Sequence, residues 1–142
     1  MASVKDRILC IDFGDVRTGL AVSDPLGMLA VGLRTVTANG VNALIEKILA
    51  CAQEYQVVRI VVGNPINMNG TRGERSLRCE AFASRLQEAS GLPVELFDER
   101  CTTMEAHTIM NETNTRGKKR KNTVDTLSAQ IILQNYLDAH RT

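Results

Sequence analysis

The sequence predicts a mixed α/β fold around one sheet that is partly antiparallel and partly parallel. Three observations predict it: three short apolar segments joined by turns before Val36, a change to helical period from Val41, and the continuously apolar run Val57 to Val62 flanked by helical stretches. The expected layout is an antiparallel meander of three strands, then two parallel strands, with helices packed on the sheet.

The first strand, Ile8 to Ile11, ends on Asp12 rather than on a turn residue. An ionised carboxylate at the mouth of a buried strand must be paired, hydrogen-bonded or metal-bound, because burying it alone is costly. Gly14 and Gly19 bracket a tight connection into Leu20 to Val22, which reads as an antiparallel hairpin. After the turn Asp24-Pro25-Leu26-Gly27, Leu29 to Val36 is the third strand, with Gly32 marking a bulge or a close approach. Leu44, Ile45, Ile48, Leu49 and Ala52 then recur at helical spacing in a helix from Val41 to near Tyr55.

The β-branched run Val57 to Val62 is expected to be covered on both faces, as central parallel strands are. Gly63 to Gly73 reads as a loop, with Pro65 and an Asn69-Gly70 turn, and Glu74 to Ala89 as a helix whose inner stripe includes Leu77, Ala81 and Leu86. Val94 to Phe97 is a fifth strand that runs into Asp98-Glu99-Arg100, a second place where an apolar strand ends on acid. Thr102-Thr103-Met104-Glu105 has capping-box form, which starts a helix to about Met110. Asn111 to Lys121 holds no apolar anchor and is expected to be mobile. The last helix, about Thr123 to Ala139, sets Asp125, Ala129, Ile132 and Tyr136 on one stripe.

With 142 residues, 44% apolar and 23% charged, the chain has the composition of a single globular domain spanning 1–142. The formal charge of +1 gives no global basic field, so the clustering of Arg116, Lys118, Lys119, Arg120 and Lys121 matters more than the total. Cys10, Cys51, Cys79 and Cys101 lack metal-knuckle spacing and sit in or beside apolar segments, which suits reduced thiols in the cytoplasm. No leader and no apolar run of about 18 residues suggests export or membrane insertion.

Asp12 and Glu99 both follow parallel strands, where ligands of such folds bind, and Asp125 starts a helix on its inward stripe, so the three acids can converge. Clustered carboxylates repel and need protons or cations, and oxygen ligands with open positions suit Mg²⁺ or Mn²⁺. Two such ions about 4 Å apart activate a water against a phosphodiester and stabilise its leaving oxygen. Other readings fit two of the acids: Asp125 as a complement to the helix dipole after an Asn122 N-cap, and Asp98 rather than Glu99 as the inward acid. Arg17 and Arg100 either position a phosphate or balance the carboxylates. Lys118, Lys119, Arg120 and Lys121 lead into the Asp125 helix and suit phosphate attraction, whereas aromatics, at 4% and absent from the basic run, suit base stacking poorly.

Four stretches together resemble the YqgF family, also called RuvX: Asp12-Phe-Gly-Asp-Val-Arg17-Thr-Gly19 with Ser23-Asp24-Pro25, Gly63-Asn-Pro65-Ile-Asn67-Met-Asn-Gly70, Asp98-Glu99-Arg100-Cys-Thr102-Thr103, and Val124-Asp125 followed by Ile131 to Leu137. The resemblance covers nearly the whole chain. It implies a ribonuclease H-like fold with a five-stranded mixed sheet flanked by helices, and acidic site positions at Asp12, Glu99 and Asp125. It further implies a Mg²⁺- or Mn²⁺-dependent nuclease for structured RNA at the 5′ end of pre-16S rRNA, with ribosomal particles as partners; the sequence does not choose between a monomer and a homodimer. The alternatives are a Holliday-junction resolvase acting on branched DNA and a non-catalytic RNA- or ribosome-binding module. The chain departs from the family pattern at Asn64, Asn69 and Cys101, and Ser128 stands where junction resolvases of this fold carry a further Asp. An actin-like ATPase, which shares the Asp-x-Gly hairpin, needs a second lobe that 142 residues do not supply.

Overall fold

The structure of the chain is a computed structural model that describes residues 6–14, 16–65, 69–71, 73–99 and 120–140, without the side chains of 120–125. Its strands are β1 (Arg7–Asp12), β2 (Thr18–Ser23), β3 (Ala30–Val36), β4 (Val57–Asn64) and β5 (Val94–Asp98), and its helices α1 (Val41–Glu54), α2 (Glu74–Ser90) and α3 (Arg120–Ala139). The strands form one sheet in the order β3-β2-β1-β4-β5. β1 pairs antiparallel with β2, and β2 with β3, while β4 runs parallel to β1 on one side and β5 on the other. The expected mixed sheet, a meander followed by two parallel strands, is the observed one.

Local chemistry explains the meander. A Cβ on Gly14 would meet the carbonyl oxygen of Arg17 at 2.1 Å, so the hairpin connection closes only around a glycine. At the next turn Asp24 Oδ1 accepts from the backbone N–H groups of Met28 and Leu29 at 2.7 and 3.1 Å. Both readings of Gly32 hold. The register shifts beside it, with Leu20 opposite Arg34 and Ala21 opposite Gly32, and a Cβ on Gly32 would meet Gln130 Oε1 at 2.8 Å.

Alternation along the strands divides the core into two layers. Leu9, Ile11, Leu20, Ile60 and Val62 pack beneath α1 and α2 with Ile48, Phe82 and Leu86, whereas Cys10, Ala21 and Val61 pack beneath α3 with Ala129, Ile132, Leu133 and Tyr136. The end of α2 is set by Gly91 at φ +72, the left-handed conformation that favours glycine after a helix.

Four expectations are corrected. Gly63 and Asn64 continue β4 and are not loop, because their partners Phe97 and Asp98 extend the ladder. The inward stripe of α2 is Ser76, Cys79, Phe82, Ala83 and Leu86; Leu77 is 51% exposed and Ala81 is also outside, so a small polar residue took a core position that periodicity assigned to leucine. β4 is covered on both faces from Ile60 onward, but Val58 near its start is 42% exposed. The last helix begins at Arg120, which takes in Arg120 and Lys121, places Asn122 inside it rather than at its cap, and puts Asp125 beyond the first turn. The helix expected from Thr102 to Met110 and the stretch 111–119 expected to be mobile lie outside the described residues.

The direction of α3 follows from its contacts. Gln134 Nε2 donates to the Met28 carbonyl and its Oε1 accepts from Ala30 N–H, while the Tyr136 hydroxyl donates to Glu95 Oε2 at 2.6 Å. Its C-terminal half therefore crosses the amino ends of β3 and β5, and its N-terminal half points toward the carboxyl ends of β1, β4 and β5. Leu133, fully buried in this layer, is expected to cost about 2–5 kcal/mol on replacement by alanine, read as a lower urea midpoint at unchanged slope.

Candidate active site

Asp12 ends β1 two residues after Cys10, which packs under α3, so strand alternation sends the Asp12 side chain to the α3 face. Glu99 follows β5, and its carboxylate reaches the same face: a Cβ on Gly63 would meet Glu99 Oε2 at 3.0 Å and Ile132 Cδ1 at 2.7 Å. Gly63 lies on the strand between those of the two acids, one step past the Ile11–Val62 pair. It is the space left by a missing side chain that Glu99 and Ile132 share. Of the two acids in the pair, Glu99 is therefore the inward one on this face.

Electrostatics report the same convergence. Burial, then the nearby Asp12 carboxylate, push the Glu99 carboxyl up to about 7, with Arg75 pulling it down and Asp98 pushing it up. Two thiols on opposite sides of the sheet register both acids. Cys79 of α2 is raised to about 11 by burial, then by Glu99, with a smaller contribution from Asp12, and Cys10 of β1 is raised by burial, then by Asp12 and Glu99.

Arg75 is the residue the sequence did not single out. It sits in the first turn of α2, donates from Nη2 to the Phe13 carbonyl at 3.4 Å, and is the main cation counteracting the rise at Glu99. The buried Ser76 hydroxyl donates to Asn64 Oδ1 at 2.5 Å, which fastens the start of α2 to the carboxyl end of β4 and delivers Arg75 there. A helix that begins directly after the β4 loop was the available signal: its first turn must lie at that end of the sheet.

Arg17 is half-buried in the connection between β1 and β2. Asp125 lies in α3 four residues before buried Ala129, on the half of the helix that points to the carboxyl ends, and its side chain lies outside the described residues, as do those of Arg120 and Lys121. Arg100, Cys101, Lys118 and Lys119 lie wholly outside them. Among the described residues no three His, Cys, Asp or Glu side chains form a metal-holding group; Asp12 and Glu99 are the two acids brought together. Their chemistry fits a hard divalent cation, since two carboxylates that penalise each other's charge are what such an ion neutralises.

Residues 6–139 match the family described as "RuvX: Holliday junction resolvase". The chain belongs to the RuvX family. It is 44% identical over 133 residues to a protein of Ruminiclostridium cellulolyticum named "Putative pre-16S rRNA nuclease", covering 93% of this chain and 94% of the relative. A Geobacillus kaustophilus protein of the same name is 44% identical over 138 residues, with 95% and 99% of the two chains covered. Among solved structures, Thermus thermophilus RuvC in complex with a Holliday junction substrate superposes with a TM-score of 0.65 at 13% identity, covering 97% of this chain and 98% of that one. The fowlpox virus resolvase bound to Holliday junction DNA gives 0.56 at 10%, over 96% and 99%. These likenesses fix the fold of the RuvX chain as that of the RuvC-like resolvases, which is the ribonuclease H-like arrangement expected.

A raised carboxyl penalises its charged form in the folded state. The Glu99 contribution to stability is accordingly full below its unfolded value near 4.5 and is lost as pH rises through about 7. In metal-free buffer, Glu99→Gln should therefore gain stability over the wild type on going from pH 5 to pH 8, by a few degrees in Tm. Arg75→Ala, which removes the main opposing cation, should raise the Glu99 carboxyl further, so that the loss of stability with rising pH becomes larger and its upper end moves to higher pH.

Proposed function

We propose that this chain is a divalent-metal-dependent nuclease that hydrolyses phosphodiester bonds of structured RNA, with the 5′ end of pre-16S rRNA as its substrate. The observation that carries the reading is the meeting of Asp12 and Glu99 at the carboxyl ends of β1 and β5 across Gly63. Family membership and the names of the relatives support the reaction and the substrate class.

In this reading Asp12 and Glu99 hold the metal, with Asp125 as a third ligand from α3. Bound Mg²⁺ or Mn²⁺ supplies water activation and neutralises charge on the phosphodiester. The remaining work falls to the chain. The rigid ends of β1 and β4 keep Asp12 at a fixed distance from Gly63, the absent side chain there leaves Glu99 room, and Ile132 closes the inner side against water. Arg75 lies where it can steady a phosphate oxygen beside Glu99, with Arg17 at the hairpin and Arg100, Lys118, Lys119, Arg120 and Lys121 drawing in the backbone. The chain works as a single domain over 1–142 in the cytoplasm, consistent with the free thiols of Cys10, Cys51 and Cys79, and ribosomal particles are its proposed partners. No described helix is long and apolar enough to cross a membrane.

The test pairs a pre-16S rRNA fragment with a four-way DNA junction, each incubated with purified protein and Mn²⁺. Cleavage of the RNA is expected, and Asp12→Asn, Glu99→Gln and Asp125→Asn should each lower its rate by about 100-fold or more. Cutting of the junction alone would reassign the substrate to branched DNA, the activity in the family's description. Salt-sensitive RNA binding without cleavage, unchanged in Asp125→Asn, would leave a binding module.

A further inference from the structure

The end of the sheet away from the carboxylates carries an apolar surface that the nuclease reading leaves unused. β2 runs antiparallel to β1, so the β2–β3 turn lies at the amino ends of β1 and β4, where Arg7 Nε donates to the Ser23 carbonyl at 3.1 Å. Leu26 and Leu29 of this turn are 62% and 60% exposed, and Val31 at the start of β3 and Val58 at the start of β4 are exposed with them. Among the described residues Val16, Leu77 and Leu96 are exposed singly elsewhere, whereas these four gather at one end, and such gathering marks an interface. Asp24 fixes the turn: its side chain accepts from Met28 and Leu29 N–H, and its carbonyl accepts from Gly27 N–H at 2.9 Å. Between the turn and Val58 opens a pocket of about 430 Å³ lined by Pro25, Tyr55 and Val58 and by Asp6, Arg7 and Glu54. Arg7 stands over the Tyr55 ring, 5.3 Å from its centroid, and Arg34 of β3 reaches Glu54 at 3.4 Å.

We infer that this face binds a second copy of the chain across a two-fold axis, with Leu26 of each copy entering the pocket of the other. The inference stands apart from the nuclease reading. A projecting turn and a pocket side by side on one face are what a two-fold pair needs, since each copy then supplies both halves of the contact at once. Charge favours the same occupant. Asp6 and Glu54 stand with Arg7 and Arg34 around the apolar residues, two of each sign, so the face gives a polyanion no field, while its own image can set acid against arginine. The contact is made by side chains and not by extending the sheet. Gln134 occupies the Ala30 N–H and the Met28 carbonyl, and Gln130 Nε2 donates to the Ala30 carbonyl at 3.5 Å, so the outer edge of β3 is closed where the apolar face begins. Apolar side chains at the centre with charged ones around them are the usual anatomy of such an interface. Because the face lies at the amino ends of β1 and β4, it leaves the carboxylate ends of both copies open to substrate.

Sedimentation velocity of the whole chain in EDTA, over about a hundredfold range of concentration, reads the state directly. The wild type is expected at twice the mass of the chain at the upper end of the range and to dissociate on dilution. Leu26→Glu and Leu29→Glu, which put a charge on the projecting turn, should each weaken the pair by about tenfold or more. Leu26→Ser, which removes the apolar contact without adding charge, should weaken it in the same direction. Leu77→Glu, at an exposed leucine of α2 away from this face, should change it by less than about twofold. Melting temperatures confirm that the variants fold. A chain that stays single at every concentration, as expected if a different protein covers the face, overturns the inference. So does a pair that survives the changes at Leu26 and Leu29, or one lost equally in Leu77→Glu. No metal or nucleic acid takes part in these runs, so failure of the nuclease reading, seen as no cutting with Mn²⁺, is told apart from failure of the pair.

Discussion

Two carboxylates that repel each other are held at the same end of one sheet, and the rest of the architecture is arranged around that tension. Alternation alone sends Asp12 to the face of Cys10 and away from Ile11, and the parallel register brings β1, β4 and β5 to a common edge. A shift of β1 by one residue would turn Asp12 into the α1–α2 core and force Leu9 and Ile11 under α3 in place of Cys10. The apolar layers that fix the register therefore also fix the acid. Gly63 completes the arrangement, since any larger residue on the intervening strand would occupy the volume that Glu99 and Ile132 fill.

The opposing charges are placed by elements that have other duties. Ser76 anchors α2 on Asn64 through a buried hydrogen bond, and that anchor sets Arg75 against the Phe13 carbonyl and near Glu99. Asn64, one of the departures from the family pattern, is thus a structural partner of α2. The buried Cys10 and Cys79 thiols, pushed up by burial and by the two acids, remain protonated and add no further charge.

Much of this was legible in the sequence because the decisive residues are the ones that break a pattern. Asp12 could be singled out since a carboxylate at the end of an apolar strand violates the alternation around it, and Gly14 since a tight connection needs it. Strand boundaries at Gly63 and Asn64 were not legible, because glycine and asparagine read locally as loop while the ladder to Phe97 and Asp98 is a long-range pairing. The inward stripe of α2 was misassigned for a similar reason. Leucine is usually the stronger core signal than serine, yet here Ser76 faces inward because its hydroxyl has a buried acceptor in Asn64, and Leu77 is left outside. Arg75 escaped notice because its partners, Phe13 and Glu99, come from two separate strand ends.

A net charge of +1 gives the whole molecule no long-range attraction for a polyanion, so attraction must be local. Helix α2 supplies it in a directional form. Arg75 at its start attends the carboxylates, while Arg78 and Arg85, two turns apart on nearly the same face, border the groove between α2 and α1. Because Asn42 ties Arg85 across to α1, the far end of this series is fixed to the scaffold and not left to a long flexible side chain. The sheet thus separates charge by face: Asp12 and Glu99 gather on the α3 side, and Arg78 and Arg85 stand on the α1–α2 side. The β1–β2 hairpin reaches both faces, since alternation sends Asp12 to one side and Phe13 to the other.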